Sequence, residues 1–233
     1  MKMRQYTQYG SASIIQDLLG LLANKKTNVE EYRKAFFNLG QQLGYVVANT
    51  DEMKQAGKNV MLVCTSEDAD WLAKGVEKGL DRGDLPLSVF WSSRSTVGMN
   101  EAGDKIEISP ILKSYEEPIE HCHTLLIVKS IISSSCVVKT LLMRLIKKVN
   151  PMHIIIMAPV MFENGPENLK KDFPQEIAEK FQFVTFAIDN EKNGSEIIPG
   201  IGGMVYPRLG LGDSGEKNRY FPNLVKERME MAK

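Results

Sequence analysis

The chain has 233 residues, of which 43% are hydrophobic and 25% are charged, as in a folded globular protein with one large core. It holds 29 lysines and arginines against 29 aspartates and glutamates, so its formal net charge is zero. This balance argues against a polybasic protein that binds nucleic acid or a membrane surface. No apolar run approaches the roughly 20 residues of a membrane helix, and no signal-peptide pattern is present. The three cysteines have no CxxC spacing, which predicts free thiols and a cytoplasmic protein.

Two helices are predicted before any strand. The first is an apolar run that ends near Leu22, and Ser13 with Gln16 has the spacing of a capping box at its start. The second begins at Asn28, where Glu31 completes the same spacing. The first helix is apolar over most of its circumference, so we expect it to be buried on more than one side, as in a dimer.

Five short apolar runs then alternate with helical patterns and predict β-strands. They cover residues 60–64, 87–91, 124–128, 152–158 and 183–188. Near-continuous apolar strands joined by helices are typical of an α/β protein with a parallel sheet flanked by helices. In such sheets ligands bind at the carboxyl ends of the strands. The polar, turn-rich stretch around 92–120 predicts a small β excursion, and the helix that follows the fourth strand is interrupted at Pro174.

The whole chain is therefore interpreted as a single domain, 1–233, in three parts. These are a helical arm over 1–50, an α/β core over 58–190 that includes the β excursion, and a glycine-rich loop and tail over 191–233.

A polar loop follows the third predicted strand. Lys129 ends the strand, and Ser133, Ser134 and Ser135 lie where the next helix begins. Hydroxyl and backbone N–H groups at a helix start favour phosphate binding, and a lysine adds positive charge. The alternative is that the serines only cap the helix. A further alternative is that Lys129 pairs with Glu67 or Asp68 and closes the site with an internal ion pair.

The tail carries two glycine-rich segments. The first runs Ile197-Ile198-Pro199-Gly200-Ile201-Gly202, and the second runs Leu211-Gly212-Asp213-Ser214-Gly215-Glu216. Glycine lets the backbone approach a flat ligand closely, although mobile tails have a similar composition. No helix of the required pattern follows, so these segments do not match the dinucleotide-binding fingerprint.

At these residues the chain resembles the uracil phosphoribosyltransferases, which have the type I phosphoribosyltransferase fold. The first tail segment is similar to the family's uracil-binding Pro-Gly-Leu-Gly-Asp sequence, and the second repeats that likeness. The segment that starts Glu31-Tyr32-Arg33-Lys34 resembles the family's second N-terminal helix. The resemblance implies a parallel α/β sheet with a β hood at 92–120. It also implies Mg²⁺ as cofactor, a homodimer or higher oligomer, and base-binding residues, which would be Ile198, Gly200, Gly202, Gly212 and Asp213.

The same resemblance implies a glycosyltransferase of pyrimidine salvage, which joins uracil to phosphoribosyl pyrophosphate to form UMP. The chain departs from that family at the reaction centre. Lys129 stands where the family has an aspartate that holds the ribose hydroxyls, and a lysine cannot accept those hydrogen bonds. Glu67 stands where the family has an arginine that faces pyrophosphate. Arg94 does match a family arginine and joins the phosphate-binding candidates.

These observations predict a protein that binds a nucleobase, nucleotide or phosphoribosyl ligand, with weak or lost UMP-forming activity. No catalytic residue and no metal ligand is assigned. The alternative is a non-catalytic regulatory or partner subunit on the same fold. An RNA-binding regulator is a third interpretation, which would use the basic face of Lys139, Arg144, Lys147 and Lys148, although a solvated helix face explains those residues equally well.

Overall fold

The computed structural model describes residues 4–99, 105–133, 136–194 and 196–232. The strands in these ranges are β1 (Gln5–Tyr6), β2 (Val60–Thr65), β3 (Leu87–Ser92), β4 (Ser95–Met99), β5 (Lys105–Ile108), β6 (Ile111–Glu116), β7 (Thr124–Val128), β8 (Ile131–Ile132), β9 (His153–Phe162), β10 (Phe181–Asp189), β11 (Glu191–Asn193) and β12 (Glu196–Ile198). The helices are α1 (Ser13–Ala23), α2 (Val29–Ala48), α3 (Asp51–Ala56), α4 (Ser66–Asp68), α5 (Lys74–Leu80), α6 (Cys136–Val149), α7 (Gly165–Lys171), α8 (Gln175–Ala178), α9 (Val205–Arg208), α10 (Ser214–Arg219) and α11 (Asn223–Met231). A π-helical turn, Ala69–Ala73, joins α4 to α5.

The central sheet has the strand order β1-β10-β9-β7-β2-β3-β6, and β8 pairs with β9. Its five inner strands are parallel, and β1 and β6 are antiparallel strands at the two edges. The fold class predicted from the sequence, an α/β protein with a mostly parallel sheet flanked by helices, is confirmed. Strand β3, which follows β2 in the chain, pairs with one edge of β2, and β7 pairs with the other edge, so the strand order reverses at β2. In sheets of this kind the crevice at such a reversal is where ligands bind.

The inner strands are apolar along their whole length because both faces of the sheet are covered. Leu62 and Leu126 face the core beneath α1, α2 and α5, whereas Met61 and Leu125 face the core beneath α6 and α7. All four side chains are fully buried. This two-sided burial is the physical reason that the five runs lack the polar alternation of a half-exposed strand.

The segment predicted as an N-terminal arm contributes buried side chains to the hydrophobic core. Tyr32 and Phe36 of α2 are fully buried in the same cluster as the sheet residues. Helix α2 also packs backbone to backbone against the π-helical turn and α5. At Gly40 and Gly75 a Cβ atom would collide with a carbonyl oxygen of the opposite helix. The division of the chain into arm, core and tail stays a prediction.

The predicted helix starts had different outcomes. Asn28 caps α2, since its side chain accepts a hydrogen bond from the backbone N–H of Glu31. The capping box at Ser13 was wrong: Ser13 is the first helical residue, and Ala12 before it makes no side-chain cap. The side chain of Gln16 donates instead to backbone carbonyls that precede the helix.

The β excursion forms at the edge of the sheet. Strands β4 and β5 pair as an antiparallel hairpin, and β6 joins the sheet beside β3. The interruption at Pro174 is confirmed, because Pro174 separates α7 from α8. Among the helices of the described residues, none combines the length and the apolar character needed to span a bilayer.

Candidate functional site

A cavity of about 690 Å³ opens at the carboxyl ends of β2, β3 and β7, where the order of the strands reverses. Its wall is assembled from distant parts of the chain. Glu67 follows β2, residues within 92–94 follow β3, residues within 129–133 follow β7, and residues within 193–206 come from the glycine-rich segment. Lys217 of α10 closes the wall. The topology therefore brings the predicted site loops to one place.

Lys129 lies at the floor of this cavity in an ion pair with two acids. Its Nζ is 2.7 Å from Oδ2 of Asp68 and 3.2 Å from Oε1 of Glu67. It also donates to Oγ of Ser130 at 3.0 Å. Since an ammonium group has three N–H donors, all of them are used inside the protein. The alternative in which Lys129 pairs internally is the arrangement that the structure contains.

The two acids are held by further donors. The hydroxyl of Thr65 donates to Asp68 Oδ2 at 2.6 Å, and the backbone N–H of Ser130 donates to Oδ1 at 3.1 Å. Lys217 Nζ lies 3.7 Å from Oε2 of Glu67 and also donates to the carbonyl of Ser92. Two lysines and two carboxylates thus form a buried, charge-balanced cluster, which we call the switch-point cluster: Glu67, Asp68, Lys129 and Lys217.

Burial and pairing act in opposite directions on the ionisation of this cluster. Burial lowers the pKa of Lys129, but the carboxylates of Asp68 and Glu67 outweigh it, so the pKa is raised above its ordinary value. Burial raises the pKa of Glu67, and the charges of Lys129 and Lys217 reverse that effect, so the pKa is lowered. For Asp68 burial prevails and the pKa is raised. Burial also lowers the pKa of Lys217.

The predicted phosphate-binding residues that the structure describes converge on the cavity. Lys129, Arg94 and Ser133 all line it. Arg94 Nε lies 3.6 Å from a carboxylate oxygen of Glu107, and the carbonyl of Ser133 accepts from Lys192 Nζ at 2.9 Å. The phosphate-binding role of these residues stays a prediction. Ser134 and Ser135 lie outside the described residues.

The predicted base-binding residues of the first glycine-rich segment sit beside the cavity rather than on its wall. Ile198 is 41% exposed. The N–H of Gly200 donates to Oδ2 of Asp189 at 2.8 Å, and Arg4 binds the same carboxylate, which anchors this loop to the end of β10. Gly202 packs against the backbone at the end of α1.

Gly212 and Asp213, from the second segment, lie at the start of α10. Asp213 caps this helix, since its Oδ1 accepts from the N–H groups of Gly215 and Glu216 at 2.8 and 2.9 Å. The residues within 193–206 that do line the cavity are Asn193, Gly194, Glu196, Ile197, Ile201 and Gly203 together with the following residues 204–206. A base-binding role for the five predicted residues stays a prediction.

Among the wall residues that were not identified from the sequence are Ser109, Tyr206 and Lys217. Lys217 comes from a polar helix near the end of the described chain, and no motif separates it from the other lysines. Ser109 lies in the turn between β5 and β6, where a serine is unremarkable in sequence. Their roles follow from chain topology, which brings segments more than 100 residues apart into contact, as in the Lys217–Ser92 hydrogen bond.

The carboxylates of the cavity do not fit the Mg²⁺ that the family resemblance implies. Glu67 and Asp68 are bound to lysines, which occupy the positions that a cation would take. Within 4–99, 105–133, 136–194 and 196–232, no three His, Cys, Asp or Glu side chains are close enough together to hold a metal ion.

Known sequences and structures give the following comparisons. No protein-family model and no curated protein sequence matches the chain. The AQ2163 protein from Aquifex aeolicus has a similar structure, with a TM-score of 0.64, 15% identity, and coverage of 85% of this chain and 95% of the other. A hypothetical protein from Neisseria gonorrhoeae with bound ppGpp has a TM-score of 0.41 and 12% identity, over 65% of this chain and 82% of the other. A hypoxanthine-guanine phosphoribosyl transferase from L. donovani has a TM-score of 0.42 and 15% identity, over 66% and 79%.

At these identities a structural likeness establishes a shared fold and nothing more, and the last two likenesses are too distant to carry an argument. The AQ2163 likeness covers most of both chains, so the α/β fold described above is one that occurs in a solved protein.

Proposed function

We propose that this chain is a cytoplasmic phosphoribosyltransferase-like protein that binds a nucleobase- or nucleotide-type ligand in the cavity and has weak or no UMP-forming activity. The observation that supports this most directly is the position of Lys129. Its ammonium group is buried between Glu67 and Asp68 at the switch point of the sheet. The ligand's polar end would lie toward Arg94 and Ser133, which line the same cavity.

This arrangement does not suit the transfer of a phosphoribosyl group to uracil. In the family that the sequence resembles, a carboxylate at the position of Lys129 holds the ribose hydroxyls, and an arginine at the position of Glu67 faces pyrophosphate. A lysine whose donors are all used offers the ribose neither an acceptor nor a donor. Glu67 offers a pyrophosphate no positive charge, and the two lysines beside it are already paired with carboxylates. The cavity is present, but the two residues at the positions that would stabilise transfer, Lys129 and Glu67, carry the charge opposite to that of the family's residues.

The proposal is tested by measuring ligand binding and turnover on the same preparation. Thermal unfolding is followed with uracil, uridine, UMP, phosphoribosyl pyrophosphate with and without Mg²⁺, pyrophosphate and phosphate. A ligand that binds only the folded chain raises Tm by mass action. UMP formation is followed with uracil and phosphoribosyl pyrophosphate. We expect a Tm increase with at least one base-containing ligand and no measurable turnover.

A cavity-filling variant and a matched surface variant locate the binding. Ser133→Trp places an indole at the wall and should abolish the Tm increase. Ser11→Trp makes the same change at an exposed position away from the cavity and should retain it. Turnover near a typical enzyme rate of about 10 per second would contradict the loss of activity. An absence of any Tm increase, or an equal increase in both variants, would contradict binding in the cavity.

A homodimer is part of the proposal. Helix α1 buries Ile15, Leu18 and Leu22 in the core, yet it leaves Ile14 57% and Leu21 40% exposed. Burial of these two side chains against a second copy would cover the apolar surface that remains on the helix. Light scattering at micromolar concentration should give about twice the chain mass of 26.2 kDa, and a value near 26.2 kDa would contradict the dimer.

RNA binding is not favoured by any contact of α6. Lys139 pairs with Asp172 at 2.8 Å, and Glu116 pairs with both Arg144 and Lys148, at 3.2 and 2.6 Å. Three of the four basic side chains named for that function therefore have acidic partners, which lowers the positive field of this face.

A further inference from the structure

We infer that the ligand of the cavity is an uncharged nucleoside, with a flat base and a hydroxyl-rich sugar, rather than a phosphorylated compound. The inference rests on the proposed function, because it names the ligand class of the same cavity. It is carried by the charges of the cavity wall, by the partners that those charges already have, and by the distribution of hydroxyl and apolar groups.

The charges around the cavity cancel. Arg94, Lys129 and Lys217 are the cations of the described wall, and they are matched by three carboxylates, Glu67, Glu107 and Glu196. Directly beneath the wall, Asp68 adds a negative charge at 2.7 Å from Lys129. Beside it, Lys192 adds a positive charge near Ser133. A ligand with several phosphate charges would therefore meet as many carboxylates as cations, and the site would provide no net attraction.

Each cation of the wall also has a partner within the protein. Lys129 uses its three donors, and Lys217 contacts Glu67, the carbonyl of Ser92 and the ring of Tyr206. Arg94 lies 3.6 Å from Glu107. A phosphate could gain a strong contact with one of these cations only by displacing a carboxylate. The displaced carboxylate would then be left without its charge partner, which disfavours the exchange.

The uncharged polar groups of the wall, in contrast, suit a sugar. They include Ser92, Ser93, Thr96, Ser109, Ser130 and Asn193. The hydroxyl of Ser109 is buried and makes no hydrogen bond to any described residue, so a donor or acceptor of a ligand would satisfy a group that is now unpaired. Such groups form hydrogen bonds with ribose hydroxyls without needing a charge on the ligand.

The remaining wall is apolar and suits a flat ring. Ile131, Ile197, Ile201, Val205 and Tyr206 lie on the side formed by the glycine-rich segment and the loop after β7. At about 690 Å³ the cavity is within the range of sites that enclose a small organic ligand. A ligand with one apolar, planar half and one hydroxyl-rich half matches both sides of this wall, and a nucleoside has that composition.

The inference is tested by isothermal titration of the full chain with uridine, cytidine, adenosine and guanosine, and with the 5′-monophosphate of each. Phosphoribosyl pyrophosphate with and without Mg²⁺ completes the set. We expect at least one nucleoside to bind at least tenfold more tightly than its own monophosphate, with an affinity that changes little between low and high salt. A monophosphate or phosphoribosyl pyrophosphate that binds more tightly than every nucleoside would overturn the inference and leave the proposed function standing. If no compound of either class bound, the inference would fail, and the proposed function would then be decided by the Tm measurement with uracil.

Two variants test the residues named. Glu107→Gln removes a carboxylate from the pair with Arg94, so the monophosphate should gain affinity by several-fold while the nucleoside changes little. Ser109→Ala removes the buried hydroxyl and should weaken nucleoside binding by about tenfold, the equivalent of one good hydrogen bond. Ser11→Ala, at an exposed site outside the cavity, serves as the control and should bind like the unchanged chain. Equal affinities of nucleoside and monophosphate in all three proteins would contradict the inference.

Discussion

Lys129 and Asp68 follow two neighbouring strands of the sheet, and their charged groups meet at 2.7 Å where both side chains are buried. The pair lies at the point where the strand order reverses, which in this fold class is the place that a ligand approaches. A position that would otherwise contact a ligand is thus used to join two loops of the protein. The cluster around this pair therefore connects the loops after β2 and β7 and shapes part of the cavity wall.

Lys129→Met should destabilise the protein strongly. The substitution leaves Glu67 and Asp68 buried without their common cation, and removal of one partner of a buried pair costs about 3–5 kcal/mol. Urea unfolding measures the change. Lys54→Met, in an exposed pair with Asp51, is the matched control and should cost less than about 1 kcal/mol. A loss of similar size in both variants would contradict a structural role for the cluster.

Stability should fall in acid partly through Glu67. The pKa of Glu67 is lowered because two lysines outweigh its burial, so its contribution is present above the unfolded pKa of about 4.3 and is lost as pH falls through the lower folded value. Asp68 has a raised pKa through burial, so its protonation in acid acts in the opposite sense. Glu67→Gln should be less stable than the unchanged chain at neutral pH, and the difference should shrink below about pH 4.

The measurement is a set of urea unfolding curves from neutral pH into acid for both proteins. A constant difference in the free energy of unfolding across this range would mean that Glu67 does not titrate with folding.

Gly40→Ala should destabilise the contact between α2 and the π-helical turn that precedes α5. A Cβ atom at Gly40 would collide with the carbonyl oxygen of Leu72, which is backbone and cannot rotate away. Overpacking of this kind costs about 1–3 kcal/mol. Gly20→Ala, in α1, meets nothing within 4 Å and should be neutral or stabilising by up to about 1 kcal/mol, because alanine favours helix over glycine. Thermal unfolding separates the two, and an unchanged Tm in Gly40→Ala would refute the close packing.

Asp70→Ala should loosen the segment that carries α10 and α11. Asp70 accepts hydrogen bonds from the backbone N–H groups of Asn223 and Leu224 at 2.9 and 2.8 Å, and from the hydroxyl of Tyr220. It thus caps α11 from a distant part of the chain, and loss of a cap costs about 1–2 kcal/mol. Limited trypsin digestion should cut this segment faster than in the unchanged chain. Tyr220→Phe removes one of the three bonds and should give a smaller increase, whereas equal cleavage in all three would argue against the cap.

The sheet and most helices could be predicted because burial leaves a pattern in the sequence. Strands covered on both faces are apolar throughout, as at 60–64 and 124–128, and the structure extends these runs by only a residue or none. Helix starts were predicted less well. Asn28 and Ser13 each precede a residue with the right spacing, yet only Asn28 makes the cap, because the cap depends on the local backbone and not on spacing alone.

The site was predictable in part for a related reason. Lys129 and Glu67 follow neighbouring parallel strands, so their loops had to meet at one edge of the sheet, and pairing between them was one of the alternatives. The contribution of Lys217 could not be predicted, since it depends on where the tail crosses the sheet. The glycine-rich segments carry no indication of which backbone groups face a cavity and which, like Gly202, pack against a helix.

The position of Lys217 late in the chain determines when the switch-point cluster can be completed during synthesis. Helix α10 follows β10, the last strand of the central sheet in the chain, so every strand of that sheet leaves the ribosome before Lys217 does. Until then Glu67 lacks one of its two cations, and Ser92 lacks the donor to its carbonyl. While Lys217 is still inside the ribosome, the emerged chain therefore carries both carboxylates of the switch-point cluster but only one of its two lysines. The mature cavity is formed only when the tail docks.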